Sequence, residues 1–485
     1  MKFDVAVIGA GVVGSLCARE LSRYHLRVAL IEKSDDVAAG ASRANSGIVH
    51  GGFDPLPGTK KAELNRKGTA MMPALAAELG VPYRQNGSMV LAFSEEEAQH
   101  VQRLYERGLA NGIPGLSVLT HDEVLALEPN VSPKVVAALR CTSSGVICPY
   151  SLTIAAAGNA MDNGVTLLCN FAVDNICHTA TGYVIYCQDR YVEADYIVNC
   201  AGLFSDEIAA MLGDRDYQLV PRMGEYMLLD RAESGLCNHT LFQVPTAAGK
   251  GILVSPTAHG NILVGPTSVE LENRDKNHRD TSPEGLAFIR RIAEKSIERI
   301  PWRQVITSFT GLRAAPKGTD DFIITKSEHS PRVVHAVGID SPGLSSAPAI
   351  AKELVALLQE SGLTLKEKDN FCGTRRSYHA FRNLTDEEKN AIIAKNPAYG
   401  RIICRCEIVS EGEIVDAIHR NPPAHSMDAV KRRVRTTMGR CQGGFCTTYI
   451  TEILARELQC DITQVNKFGA GSELLIGHTQ EEVVK

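Results

Sequence analysis

The chain of 485 residues has no basic excess: 51 Lys and Arg face 56 Asp and Glu, a formal net charge of -5. Nucleic-acid binding needs the opposite balance, because phosphates must be neutralised, so that class of partner is set aside. Nor does any apolar run approach the roughly 20 residues that cross a bilayer. The expectation is therefore a cytoplasmic protein without a transmembrane segment, with peripheral membrane attachment left open. The start, "MKFDVAVIGAGVVG", is too broken by Asp4 and its glycines to read as a signal peptide. Internal repeats and low-complexity segments are also lacking. What remains, 44% hydrophobic and 22% charged residues, is an ordinary globular composition, and the length predicts about two to four domains.

The first residues carry the strongest local signal. "FDVAVI" (3–8) is a continuous apolar run, as in a parallel strand covered on both faces. Gly9, Gly11 and Gly14 follow in G-x-G-x-x-G spacing, then a helical periodicity, then a second buried run, "RVALIE" (27–32), ending in Glu32. Strand, glycine turn, helix, strand and acid together define a dinucleotide site: the glycines let backbone N–H groups approach a pyrophosphate, and the acid accepts from a ribose. Either NAD or FAD fits this element. Three further segments favour FAD: the small-residue loop "GASRANSGIVHGG" (40–52), the strand end "IVNCAG" (197–202), and the helix-opening loop "GIDSPGLSSAPAIAKEL" (338–354), whose N-terminal dipole suits negative charge on a reduced flavin.

Beyond residue 33, strand-like runs at 87–93, 183–187, 194–202, 225–230, 251–266 and 321–338 alternate irregularly with helical stretches at 59–79, 94–112 and 283–300. "GILVSPTAHGNILVGP" reads as a hairpin turning at His259-Gly260-Asn261. The fold class is α/β: a Rossmann-like FAD-binding domain with an inserted mixed-sheet substrate domain, plus a small C-terminal iron-sulfur domain. The expected boundaries are 1–365 for the oxidoreductase (FAD part about 1–75, 145–205 and 330–365; substrate part about 76–144 and 206–329), 366–399 for a linker, 400–455 for the small module and 456–485 for a tail.

Fourteen cysteines are present. Ten lie among apolar or mixed neighbours without motif spacing and are expected to be buried free thiols. Cys404-x-Cys406 and Cys441-x4-Cys446 form two tight pairs. Neither has the C-x-x-C spacing of a thiol switch, and C-x-C is wrong for a zinc knuckle. Four thiolates suit a [2Fe-2S] cluster, with zinc or four ordinary thiols as alternatives. Glycines 439, 443 and 444 would let amides approach cluster sulfurs. "KRRVR" (431–435) reads either as a solvated helix face or as a patch that steers an acidic partner protein.

"ICRCEIVSEGEI" with "VKRRVRTTMGRCQGGFC" resembles the bacterioferritin-associated-ferredoxin-like [2Fe-2S] domain appended to anaerobic glycerol-3-phosphate dehydrogenases. The resemblance implies that Cys404, Cys406, Cys441 and Cys446 hold the cluster. Residues 1–365 resemble the D-amino-acid-oxidase-like FAD superfamily. "NSGIVHGGFDPLPGTKKAELNRKG" and "NCAGLFSDEIA" resemble its L-2-hydroxyglutarate oxidase and glycerol-3-phosphate dehydrogenase branch. This implies FAD contacts at Gly9, Gly11, Gly14, Glu32, Ser42, Asn45, Ser46, Ala201, Gly202, Gly343, Leu344 and Ser345, with Val173 near the adenine end.

For substrate chemistry, His50 is the candidate base that takes a hydroxyl proton while hydride leaves carbon. By resemblance Arg313 holds an anionic substrate group. Arg222, Glu225 and Tyr226 are expected to line the same pocket. One departure stands out: where membrane-bound glycerol-3-phosphate dehydrogenases carry an arginine after H-G-G, this chain has Phe53 and Asp54. The expected activity is oxidation of sn-glycerol 3-phosphate to dihydroxyacetone phosphate. Its electrons are expected to leave through the cluster to a second flavoprotein subunit or a quinone-linked partner. The alternatives are an L-2-hydroxy acid such as L-2-hydroxyglutarate as substrate, or an electron-transfer flavoprotein subunit with no substrate of its own.

Overall fold

The computed structural model describes residues 1–245, 251–271, 274–378 and 380–478. Positions 479–485 of the expected tail lie outside this range, as do 246–250 and 272–273 of the substrate part and 379 of the expected linker.

Lys2–Ile8, Val28–Ile31 and Thr166–Leu168 pair in parallel in that order, and the other edge of Lys2–Ile8 pairs in parallel with Arg190–Asn199. Val333–Val337 continues the sheet beside the end of Arg190–Asn199. Such strands are apolar throughout because both faces are covered, one by helices and the other mainly by residues of the strands Asn175–His178 and Tyr183–Cys187 with Ile208 and Leu212. Val5, Val7 and Leu30 share one core with residues of the helices Val12–Leu21, Lys60–Leu79, Pro149–Asp162 and Gly343–Glu360. Ile323–Lys326, which the sequence reading left in the substrate part, pairs antiparallel with Val333–Val337 and so belongs to this sheet.

A second, mixed sheet of nine strands is built from the inserted segments. Its longest ladder joins Leu219–Leu229 to Val305–Pro316, antiparallel, with Arg222 opposite Arg313. The expected hairpin forms between Leu253–Pro256 and Ile262–Gly265. The expected helix over 283–300 stops at Ala293.

The C-terminal module carries a short ladder, Ile402–Cys404 with Val409–Ser410, and the helices Glu411–His419, Met427–Val434 and Thr447–Leu458. Ser410 and Glu413 form a capping box at the first of these helices. Residues 366–399 are not an extended linker. Arg19 donates to the Gly373 carbonyl at 2.9 Å, Arg375 to Asp162 at 3.2 Å, and the Phe381 N–H to Glu413 at 3.0 Å. Charged composition suggested solvent there, but these arginines are buried because each has a partner. The expected tail is likewise packed as far as Val465, which joins the module core. Among the ten scattered cysteines, Cys177 and Cys372 are exposed and Cys169 and Cys460 half-buried rather than buried, Cys177 on the strand Asn175–His178 and Cys372 in an irregular segment. Among the described residues no helix is long and apolar enough to cross a membrane.

Candidate active site and electron-transfer site

A cavity of about 1410 Å³ runs between the two sheets and is closed on a third side by the C-terminal module. It exceeds the ~300–1,000 Å³ of ordinary ligand pockets and so has room for a dinucleotide with a small substrate.

At one end lies the glycine turn. Gly9 has φ +104°, and a Cβ on Gly14 would lie 1.9 Å from the Gly9 carbonyl, so neither position tolerates a side chain. Gly14 therefore acts behind the wall, whereas Gly9 and Gly11 line the cavity. The Glu32 carboxylate accepts from the Ala10 N–H at 2.9 Å and the Ser34 N–H at 3.0 Å, which fixes it beside the turn. Burial raises its pKa and these two donors oppose the rise. Ser42 reaches back to accept the Val12 N–H at 2.9 Å. Asn45 donates to the Ala41 carbonyl and accepts from the Gly47 N–H, shaping the loop that Ser46 continues along the cavity. Val173, Ala201, Gly202, Gly343 and Leu344 line it as well. A Cβ on Gly202 or Gly40 would meet nothing within 4 Å: the wall stands open where backbone must approach a ligand. The helix Gly343–Glu360 opens here without a side-chain cap, leaving its N-terminal dipole for a ligand. This turn, loop and helix end fit FAD. Ser345 is fully buried; its hydroxyl donates to the Ile48 carbonyl at 3.3 Å and accepts the His50 N–H at 2.8 Å, so it holds the loop rather than a ligand.

At the other end the His50 backbone is clamped on both sides. Besides Ser345 on its N–H, its carbonyl accepts from Asn65 at 2.8 Å and Thr69 at 2.6 Å. Its ring, 5.7 Å from that of Phe242, lines the cavity. Arg222, Tyr226 and Arg313 line it too. Arg313 makes long contacts of 3.4 and 3.5 Å to the Thr267 carbonyl and hydrogen-bonds the Tyr226 side chain, and among the described residues no carboxylate pairs with it, so its guanidinium fork can also take an anion. Tyr226 stacks on Phe309 at 4.8 Å.

Glu225 corrects the sequence reading. Successive strand residues face opposite sides, and Arg222 and Tyr226 are even steps apart, so Glu225 points away from the cavity. It accepts from the Ser282 hydroxyl at 2.9 Å, the Ser282 N–H and the Thr267 hydroxyl at 3.0 Å, pinning the start of helix Pro283–Ala293.

Several cavity residues fall outside the expected set, among them Arg107 and Lys61. Arg107, on helix Glu95–Ala110, donates to the Asp54 carbonyl at 2.9 Å and lines the cavity. A guanidinium thus stands beside Phe53-Asp54 after all, delivered from another element. Lys61 bridges Asp340 at 2.9 Å and Asp320 at 3.1 Å; burial lowers its pKa, and these carboxylates more than offset it. Arg107 lies in no motif and only the fold brings it in, whereas Lys61 stands inside the stretch 45–68 that carries the family resemblance and gives no sign there of its carboxylate partners.

Cys404 contacts Cys446, and Cys406 contacts Cys441. The Cys404 pKa falls to about 6: the Cys446 contact is the main cause, the Glu407 and Thr437 N–H groups add to it, and burial opposes. The same contact raises Cys446. Among the described residues no three His, Cys, Asp or Glu side chains converge on a single-ion position. Two thiol pairs with backbone N–H groups aimed at the sulfurs suit the two irons of a [2Fe-2S] cluster better than one tetrahedral zinc.

"KRRVR" is neither a solvated face nor a patch for a partner. Arg432 and Arg433 are buried and grip Asp36 at 2.6 and 2.8 Å. They hold Asp36 ionised, its pKa lowered to about 2 against the cost of burial.

A nucleotide-binding sheet, an inserted substrate sheet and one shared cavity define a flavin-dependent oxidoreductase. Residues 4–357 match the family described as FAD dependent oxidoreductase, and residues 402–456 match the BFD-like [2Fe-2S] binding domain. The chain belongs to the FAD dependent oxidoreductase family and acts on CH–OH groups. It is 46% identical over 481 residues, 99% of this chain and 100% of the other, to the glycerol 3-phosphate dehydrogenase of Caloramator mitchellensis. It is 30% identical to the human mitochondrial L-2-hydroxyglutarate dehydrogenase over 55% of this chain and 61% of that one. In structure it is similar to the dithionite-reduced, FAD-bound L-alpha-glycerophosphate oxidase of Mycoplasma pneumoniae, with a TM-score of 0.74 and 33% identity over 78% of this chain and 99% of that one.

Proposed function

We propose that the protein oxidises sn-glycerol 3-phosphate to dihydroxyacetone phosphate and passes the electrons through its [2Fe-2S] cluster to a partner protein. The observation that carries this is the pairing of Arg222 with Arg313 across one ladder, both lining the cavity that His50 enters. Two guanidinium groups from adjacent strands suit the dianionic phosphate. Arg107, on helix Glu95–Ala110, lines the same cavity and adds a third.

FAD, when bound, supplies the hydride acceptor. The arginines hold the phosphate and so fix the carbinol end toward His50. The clamped His50 backbone orients its ring to take the hydroxyl proton as hydride leaves carbon. Phe242 and the stacked Tyr226–Phe309 pair exclude water from that end. Met438 and Gln442 of the module line the same cavity, and Gln442 directly follows the cluster cysteine Cys441. The route out is therefore short.

Anaerobic titration of the purified protein with glycerol 3-phosphate tests the reading. Flavin bleaching followed by a reduced-cluster EPR signal is expected. Bleaching by L-2-hydroxyglutarate and not by glycerol 3-phosphate overturns the substrate. A flavin that no alcohol or hydroxy acid bleaches overturns the enzyme in favour of an electron-transfer subunit.

A further inference from the structure

Helix Met427–Val434 presents Asp428, Lys431, Arg432 and, one residue beyond its end, Arg435 to the cavity. That i, i+3, i+4, i+7 spacing puts all four on one face. Lys431 and Arg432 line the cavity together with Arg43, near enough to repel it electrostatically; Arg43 follows Ser42, the residue bound to the glycine-turn helix. Arg279 and Lys467 line the same region. Lys431 and Arg43 pair with no carboxylate at hydrogen-bonding distance among the described residues. Arg432 spends one guanidinium nitrogen on Asp36, while its buried Nε has no partner among the described residues. Burial, followed by mutual repulsion, lowers the pKa of Arg43; burial dominates for Lys431, where the attraction of Asp428 is outweighed. Asp35, Asp36 and Asp428 are the carboxylates nearby, fewer than the cations Arg43, Arg279, Lys431, Arg432, Arg435 and Lys467, and such a half-buried cationic excess is costly unless a ligand brings negative charge.

We propose that the C-terminal module forms part of the FAD site: Lys431 and Arg432, together with Arg43, bind the anionic diphosphate of the dinucleotide across the boundary between module and flavin domain. The Asp36 ion pairs with Arg432 and Arg433 seat that wall, so FAD retention and module docking are one event. This rests on the reading of the cavity as the FAD site.

The test is FAD affinity of the apoprotein, read by quenching of flavin fluorescence on binding, with cluster EPR and circular dichroism confirming an intact fold. Lys431→Gln is expected to weaken FAD binding roughly tenfold, as for loss of a charge-assisted contact, and to reduce its salt dependence. Lys431→Arg is expected to restore binding to within about threefold. Arg432→Gln, which also releases Asp36, is expected to weaken FAD further while the cluster signal persists. Wild-type affinity in both Gln variants overturns the proposal. Failure of the wild-type apoprotein to take up FAD overturns the reading of the cavity instead.

Discussion

Arg435 donates to the Tyr150 hydroxyl at 3.1 Å and, through Nε, to Glu407 at 2.9 Å. One guanidinium thus ties the first turn of the helix Pro149–Asp162 to the residue that follows Cys406. It sits between flavin cavity and cluster, where a positive charge favours arrival of an electron. Replacing Arg435 with Gln is expected to lower the cluster midpoint potential and slow cluster reduction by substrate, while flavin reduction keeps its rate. An EPR-monitored redox titration and stopped-flow spectra check both.

Arg313→Ala removes the fork proposed to face the substrate. A loss of roughly 10- to 100-fold in kcat/KM is expected, carried mainly by KM, as for loss of a charged hydrogen-bonding group. Arg313→Lys is expected to recover little, because an ammonium cannot bind two oxygens in a plane. Flavin content is expected to stay at the wild-type level in both, which steady-state assays with an artificial acceptor and absorbance would establish.

Glu225→Ala removes the acceptor of the buried Thr267 hydroxyl and of the half-buried Ser282 hydroxyl and N–H. Destabilisation of about 2 to 3 kcal/mol is expected, seen as a lower midpoint in urea, with KM unaltered. An increased KM at wild-type stability would return Glu225 to the substrate pocket.

Cys441→Ser removes one of four thiolates. Iron and acid-labile sulfide are expected to fall away, while a single anaerobic addition of substrate still bleaches the flavin. Zinc without iron in the wild-type protein would exclude the cluster altogether.

Docking of the module through Asp36 has a defined pH window. Its pKa is depressed when folded, so the stabilisation is fully present above the ordinary carboxylate value of 3.8 and is lost as pH falls toward about 2. The pair contributes about 2 kcal/mol by linkage. FAD retention is expected to be flat from pH 7 to 5 and to collapse on acidification below about 4, whereas Asp36→Asn releases flavin already at neutral pH. Flavin fluorescence after gel filtration at each pH measures it.

Local chemistry made part of this legible before any coordinates. The glycine turn, Glu32 and the cysteine pairs are contiguous or nearly so, and each signals itself by spacing. The hairpin at 257–261 was equally plain, for the same reason. Glu225 went wrong although the alternation of "PRMGEYM" contained the answer: Arg222 and Tyr226 share a face from which Glu225 is excluded. Lys431, Arg432 and Arg107 reach the cavity only because distant elements dock, and no periodicity within their own helices announces the docking partner. A basic run that would be solvated in isolation is buried here because Asp36, almost 400 positions earlier, waits for it.

Residues 366–399 are stitched to Arg19, Asp162 and Glu413, so the span between flavin and iron is fixed as soon as the chain folds. On the proposed route, charge is expected to cross by tunnelling over a set gap rather than by the swing of an arm. Thickening the solvent with sucrose should slow delivery to the external acceptor and leave the internal hop untouched.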